Sequence, residues 1–288
     1  MVAGEGASHD RFPVAALKRF IAFAAAALVA LVARAQDPEV RAPFVTTPED
    51  VVAQMLALAG TGPADYVIDL GSGDGRIVIT AARRFGARGL GVEIVPELVK
   101  KSRELARAAG VQERVEFREQ DLFATDLGRA SVVTMYLLPA VNLQLRPRLL
   151  ALAPGTRVVS HDWDMGDWLP DRSLVVDVPD KVVGKEKVSR IHLWVVPVVA
   201  AGTWCAAGSR LEITQRFQTF SAALTAAASP VPFVFDGRIE GSTLRAHGMQ
   251  TFELRIEGDA LRTRRADNAA APGWPAEAQF QRATSRSC

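Results

Sequence analysis

From Thr47 to about Pro197, short runs of aliphatic and β-branched residues alternate with stretches whose apolar positions recur every three or four residues. That alternation predicts strands joined by helices, the rhythm of a parallel sheet flanked by helices. Thr47-Pro48-Glu49-Asp50 reads as a helix start: a cap residue, proline at the first helical position, then acids in the first turn. The spacing next predicts a strand over Tyr66 to Leu70, a helix near Ile77 to Phe85, a strand over Gly89 to Glu93 and a helix from Pro96 to Ala109. Strands follow at Arg114 to Phe117, Val132 to Tyr136 and Thr156 to Ser160, with a helix over Ala140 to Leu152 between the last two. The runs Leu174 to Val178 and Arg190 to Val196 complete a seven-stranded sheet.

Beyond Ala200 the period changes to two, as in Phe252, Leu254 and Ile256 set against Thr251, Glu253, Arg255 and Glu257. Antiparallel strands with one wet face have this pattern. Arg238-Ile239-Glu240-Gly241-Ser242-Thr243-Leu244-Arg245 recurs as Arg255-Ile256-Glu257-Gly258-Asp259-Ala260-Leu261-Arg262. Two successive hairpins of a small β-domain account for the repeat, with chance similarity of two arginine-rich turns as the alternative. Trp204 and Trp274 are expected in the core of that domain, and His192 within the last apolar strand of the sheet is expected as a satisfied core residue.

The N-terminus follows a different grammar. Lys18 and Arg19 precede the apolar run Ile21 to Ala33, and Ala33-Arg34-Ala35 fits a small-x-small cleavage site. Residues 1–35 are therefore expected to be a signal peptide or a membrane anchor, residues 42–197 the first domain and residues 201–288 a small β-rich domain. This expectation puts the chain in the periplasm or on the membrane of a bacterium, with possible envelope association through the N-terminus and a cytoplasmic location as the alternative. In an oxidising compartment Cys205 and Cys288 would be free to bridge, although two cysteines alone do not decide it. They lack the spacing of a metal site, and no metal is expected. With 34 Lys+Arg against 32 Asp+Glu the chain carries a net charge of +2 and no basic stripe, so nucleic acid is not an expected partner.

Chemistry concentrates in Asp69-Leu70-Gly71-Ser72-Gly73-Asp74-Gly75-Arg76, which follows a strand and leads into a helix. Glycines there let the backbone turn sharply and approach a ligand. Arg76 stands where a dinucleotide fingerprint needs its third glycine, which disfavours pyrophosphate. Asp69 would repel a phosphate and suits a cationic ligand. S-adenosylmethionine, with its sulfonium and ammonium, is such a ligand, and at this point the sequence resembles the class I methyltransferases. The resemblance implies a Rossmann-like seven-stranded α/β sheet followed here by the small antiparallel β-domain. It implies cofactor contacts from Asp69, Gly71, Ser72, Gly73, Asp74 and Gly75. It also implies that Glu93, ending the second strand, accepts from the ribose hydroxyls, and that Asp121, after the third strand, accepts from the adenine amino group. Asp121 reads equally as a helix cap.

A narrower resemblance rests on Pro43-Phe44-Val45-Thr46-Thr47-Pro48, on the full glycine motif, and on Tyr136-Leu137-Leu138-Pro139 after the fourth strand. These look like the group of methyltransferases that includes the mitochondrial protein-lysine methyltransferases acting on the adenine nucleotide translocase and on the c-ring protein of ATP synthase. The resemblance covers about Ala42 to Val196 and implies a protein lysine as acceptor. A small-molecule N- or O-methyltransferase and an exported, non-catalytic binding module are the alternatives. Thr46 and Thr47 would close over the cofactor. Tyr136 lies at the sheet edge where ligands of open α/β folds bind and is the first candidate for orienting the acceptor. His161 and Asp162, on the loop after the fifth strand, are candidates for a base or a substrate carboxylate.

Overall fold

Strands buried on both faces read as continuous apolar runs, and the centre of the sheet is built from such runs. Four of the five residues of β1 (Tyr66–Leu70) and all four of β4 (Val132–Met135) are buried. The computed structural model describes residues 45–182, 186–226, 229–247, 252–266, 274, 279–284 and 288. The leader-like residues 1–35 lie outside the described residues.

Around those two strands the chain runs α1 (Glu49–Leu58), β1, α2 (Arg76–Phe85), β2 (Arg88–Glu93), α3 (Pro96–Ala108), β3 (Val115–Glu119), a single 3-10 turn (Leu122–Ala124), β4, α4 (Pro139–Leu150), β5 (Arg157–His161), β6 (Arg172–Asp177) and β7 (Val188–Val195). The sheet order is β3-β2-β1-β4-β5-β7-β6. Strands β1 to β5 pair in parallel, whereas β7 runs antiparallel to both β5 and β6. The sheet is therefore mixed rather than parallel throughout: no helix separates β6 from β7, and a strand that returns without a crossover must run antiparallel. This reversal brings the C-terminal end of β6 to the same edge as the ends of β1, β4 and β5. That edge, at the switch between β1 and β4, is where open α/β sheets hold ligands.

Successive strand residues face opposite sides of a sheet. Accordingly Val67 packs with Val51, Met55 and Ala81 on one face, while Ile68 packs with Val133, Leu145, Leu149 and Trp194 on the other. His192 is half-exposed on β7, with Nδ1 2.9 Å from the Ser173 hydroxyl, instead of buried in the core.

The period-two region closes on itself. Strands β8 (Gly202–Ala206), β9 (Ser209–Arg216), β10 (Thr219–Ala226), β11 (Ser229–Glu240), β12 (Thr243–Ala246), β13 (Phe252–Glu257), β14 (Ala260–Ala266) and β15 (Gln279–Arg282) form an eight-stranded antiparallel barrel. The two similar octapeptides are the turns of hairpins β11–β12 and β13–β14. Trp204, Leu211, Phe220, Leu244, Leu254, Leu261, Trp274 and Phe280 fill the interior, so the inward face is a packed core. The barrel is fastened to the sheet. Trp168 stacks on Phe217 with ring centroids 6.2 Å apart, Arg238 pairs with Asp171 at 2.7 Å, and Val198 N donates to the Gly241 carbonyl at 2.7 Å.

Cys205 on β8 is bonded to Cys288, 83 residues further on. The bridge ties the chain end to the barrel and restricts the unfolded chain across that span. A loop of this length corresponds to roughly 4–5 kcal/mol in the chain-entropy account. Replacing both cysteines by serine is expected to lower unfolding free energy in urea by about 3–5 kcal/mol. A change under about 1 kcal/mol would mean that the barrel does not depend on the bridge.

Candidate active site

Strand β1 carries Asp69 to the ligand edge, and the turn that follows can be made only by residues free to take a positive φ. Gly71 and Gly75 have φ of 72° and 80°. A Cβ on Gly75 would lie 2.5 Å from the Phe117 ring, and one on Gly71 would lie 2.9 Å from Leu137. Backbone N–H groups of Gly71 and Ser72 donate to the Val92 carbonyl, binding the loop to β2. Glu93 ends β2 and locks the loop from the side. Its Oε2 accepts from Gly73 N at 3.0 Å, and its Oε1 accepts from Ile94 N and Val95 N at 2.8 and 3.0 Å.

Asp69 is buried, and Thr134, its register partner on β4, donates to Oδ1 at 2.7 Å. Burial pushes its pKa up to about 7; the Thr134 bond opposes the shift, and the negative charges of Glu93 and Asp74 add to it. Asp74 has another role. Burial would raise its pKa, but Arg76 grips it with Nε and Nη2 at 2.9 and 2.6 Å and leaves it lowered. The same guanidinium donates through Nη1 to the Thr47 carbonyl at 2.9 Å. Arg76 thus ties the glycine loop to the segment before α1, which is why arginine replaces a third glycine. On the far side Asp121 caps the 3-10 turn by accepting from Phe123 N at 2.8 Å, and its side chain remains exposed at the edge.

A second cluster lies across β4 and β5. Thr47 does not cap α1, whose N-cap is Pro48 with no side-chain bond. Its buried hydroxyl is instead 3.1 Å from His161 Nδ1, while Thr46 beside it is exposed. His161 is the last residue of β5 and 1% exposed, not a solvated loop residue. Its Nε2 lies 2.9 Å from the Ser189 hydroxyl, and its ring stands 4.0 Å from that of Tyr136. Burial drives its pKa well below the usual histidine range, so the imidazole is neutral, and its 3.6 Å approach to Asp162 is not an ion pair. Both ring nitrogens of His161 therefore lie against hydroxyls, those of Thr47 and Ser189.

Asp162 takes a φ of 64°, an uncommon conformation for a residue with a side chain. Pairing with β7 holds it there, since Oδ1 accepts from Arg190 N at 3.0 Å. Its Oδ2 lies 2.7 Å from Lys181 Nζ and 3.4 Å from the Tyr136 hydroxyl. Burial would raise the Asp162 pKa, but the bonds from Lys181 and Arg190 keep it low. Burial, with Asp162 adding to it, raises Tyr136 to about 12, so the phenol keeps its proton and donates. Val45, Thr46, Pro48, Tyr136, His161 and Lys181 line part of a cavity of about 330 Å³ here.

One edge therefore carries two groups of residues, a glycine loop with Asp69 and Glu93, and a cavity lined by Tyr136, His161 and Lys181, with Asp162 paired to Lys181 behind them. A buried carboxylate whose charged neighbours are two further carboxylates favours a cationic ligand. The residues thus fit a ligand with a positive centre. Thr134, Ser189 and Lys181 carry no mark in the sequence, and Arg76 is marked there only as a departure from the dinucleotide fingerprint. The Asp69–Thr134 pair becomes visible only once β1 and β4 are aligned, and Lys181 only once the β6–β7 hairpin is known to reach this edge. Among the described residues no cluster of His, Cys, Asp or Glu has the arrangement of a metal site.

Known methyltransferases are similar to this chain in sequence. The family profile described as "ANTKMT methyltransferase domain" matches residues 69–172. A protein-lysine N-methyltransferase of Saccharolobus islandicus (strain REY15A) is 43% identical over 137 residues, which is 47% of this chain and 85% of that protein. The adenine nucleotide translocase lysine N-methyltransferase of Mus musculus is 38% identical over 130 residues, 44% of this chain and 56% of that protein. The chain thus spans little more than half the length of this mammalian relative. A solved structure of an RNA methyltransferase from Salinibacter ruber in complex with S-adenosyl-L-homocysteine is 54% identical and covers 53% of this chain and 94% of that one, with a TM-score of 0.48.

The raised pKa of Asp69 sets a pH dependence of stability. An acid whose folded pKa exceeds its unfolded value has no effect below the unfolded pKa, and its destabilisation grows as pH climbs to the folded pKa. For Asp69 that window runs from 3.8 to about 7. Asp69→Asn is expected to be more stable than the native chain by on the order of 2–4 kcal/mol at pH ~8, with the advantage gone near pH ~4, in urea unfolding. An equal advantage at both pH values would contradict the burial argument.

Proposed function

The chain belongs to the S-adenosylmethionine-dependent protein-lysine N-methyltransferase family, and on that footing we propose that it methylates the side-chain amine of a protein lysine. The observation that supports this reading best is the cavity at the ligand edge, lined by Tyr136, His161 and Lys181, where the Tyr136 phenol and the Lys181 amine both meet the Asp162 carboxylate. S-adenosylmethionine supplies a methyl group on a sulfonium. Asp69 and the turn Gly71, Ser72, Gly73 and Gly75 would hold its cationic end, with Asp74 shaping the turn through Arg76. Glu93 would accept from the ribose hydroxyls, since a carboxylate accepting three backbone N–H groups still has acceptor capacity. Asp121 would face the adenine, while Thr46 and Thr47 would cover the ligand from the opposite side.

Methyl transfer demands alignment of the amine with the methyl and exclusion of water more than acid–base power. The protein's remaining task is the acceptor's charge. A lysine of pKa ~10.4 must lose its proton at a cost of roughly 4–5 kcal/mol at pH ~7. Protonated Tyr136 cannot take that proton, and neither can His161, whose two nitrogens are engaged. Asp162 remains to draw the ammonium in and to pass its proton outward. Tyr136 would orient the amine, and His161 would hold Tyr136 in place through the ring contact.

We also propose that the chain works outside the cytoplasm or at a membrane, the leader-like residues 1–35 and the Cys205–Cys288 bond both supporting this. Mass spectrometry of the mature N-terminus would test it, a start at Gln36 being the expected result.

Glu93→Ala is expected to weaken S-adenosylmethionine binding by about 1–3 kcal/mol in calorimetric titration without unfolding the chain; unchanged affinity would remove Glu93 from the cofactor site. Incubation of the full chain with labelled S-adenosylmethionine and cell extract is expected to leave label in protein, as methyllysine after hydrolysis. Label confined to small molecules or RNA would overturn the lysine reading.

A further inference from the structure

The turn 178–182 after β6 brings a lysine into the cavity that neither the motifs nor the family resemblance mark. Lys181 Nζ lies 2.7 Å from Asp162 Oδ2 and donates to the Val188 carbonyl at 2.6 Å. Its side chain is 11% exposed, and it lines the same cavity as Tyr136, His161 and Thr46. Ion pairs on open surface gain little, because holding a long side chain in one place offsets the attraction. Here the chain's own amine is instead enclosed, with a carboxylate, a carbonyl and a nearby phenol around it. Those are the groups that would recognise any primary alkylammonium, including the side chain of a substrate lysine. The geometry also explains why Asp162 tolerates its backbone conformation, since both carboxylate oxygens are engaged, one by β7 and one by this amine.

We propose that Asp162 and the Val188 carbonyl form the seat of the acceptor's ε-amine, and that Lys181 fills this seat as an internal acceptor, itself open to methylation. The proposal rests on the lysine-directed reading above. In the self-directed step Lys181 first gives a proton, by way of Asp162, to water. The lone pair of neutral Nζ then forms the new N–C bond to the methyl carbon. The C–S bond breaks with its electrons staying on sulfur, and S-adenosylhomocysteine and a methylated ammonium remain.

Two measurements on the full chain test this. The first needs no methyl donor: n-butylammonium is titrated into the native chain and into Lys181→Ala, followed by NMR. Lys181→Ala is expected to bind the probe about tenfold or more tightly than the native chain, and Lys181→Ala/Asp162→Asn is expected to lose that gain, the scale of a hydrogen bond to a charged group. Lys181→Met, which fills the space without a charge, is expected to bind no better than the native chain. Equal binding by native chain and Lys181→Ala would overturn the seat. The second is peptide mass mapping of the native chain after incubation with S-adenosylmethionine, which is expected to find methyl on Lys181. It does not depend on any variant folding. Label entering other proteins while Lys181 stays unmodified would overturn this inference and leave the proposed function standing. No transfer to any lysine would overturn both.

Discussion

Burying a carboxylate without a counter-charge is costly, and this fold does so at the end of its central strand. The Asp69 carboxylate accepts from Thr134, and the negative charges of Glu93 and Asp74 raise its pKa further. The surroundings are organised around that liability. The glycine turn bends through positive φ just after Asp69, Glu93 accepts from Gly73 N in that turn, and Arg76 pairs with Asp74. Stability given up in this way is typical of sites that await a ligand of opposite charge.

The second half of the edge is held by a chain of contacts that starts from the same arginine. Arg76 binds the Thr47 carbonyl, the Thr47 hydroxyl meets His161, the His161 ring lies against Tyr136, and Tyr136 reaches Asp162. A displacement of the glycine loop would therefore be felt at Asp162 through packed, hydrogen-bonded groups. The hairpin β6–β7 closes the series from the outer edge, supplying Ser189, Arg190 and Lys181. The barrel grips the loop before β6 through Asp171 and Trp168, which steadies the hairpin from behind.

Much of this was legible in the residues. The strand at Tyr66–Leu70 ends where the apolar run ends, and a turn of alternating glycines has few explanations besides positive φ beside a ligand. Glu93 and Asp121 were marked only by the family resemblance, and the structure places Glu93 at the end of β2 and Asp121 two residues beyond β3. The rest depended on pairing that one-dimensional patterns do not encode. Period two beyond Ala200 marks strands but not closure, because a barrel and an open sheet share that alternation. Thr47 before proline and two acids has the local chemistry of a cap, yet its hydroxyl is claimed by His161, a tertiary partner 114 residues away. His161 reads as a loop residue because β5 extends one residue past the predicted strand, which stops at Ser160. Lys181 sits in a polar turn that nothing local distinguishes from an ordinary solvated hairpin.

On the proposed reading one sheet edge would bind the methyl donor beside Asp69 and Glu93, on the same edge as the cavity lined by Tyr136, His161 and Lys181. A crystal structure with S-adenosyl-L-homocysteine tests it most directly. The expected result is ribose hydroxyls within hydrogen-bonding distance of the Glu93 carboxylate and the sulfur facing the cavity lined by Tyr136, His161 and Lys181. A ligand bound away from Glu93, or a sulfur separated from that cavity by intact protein, would contradict it.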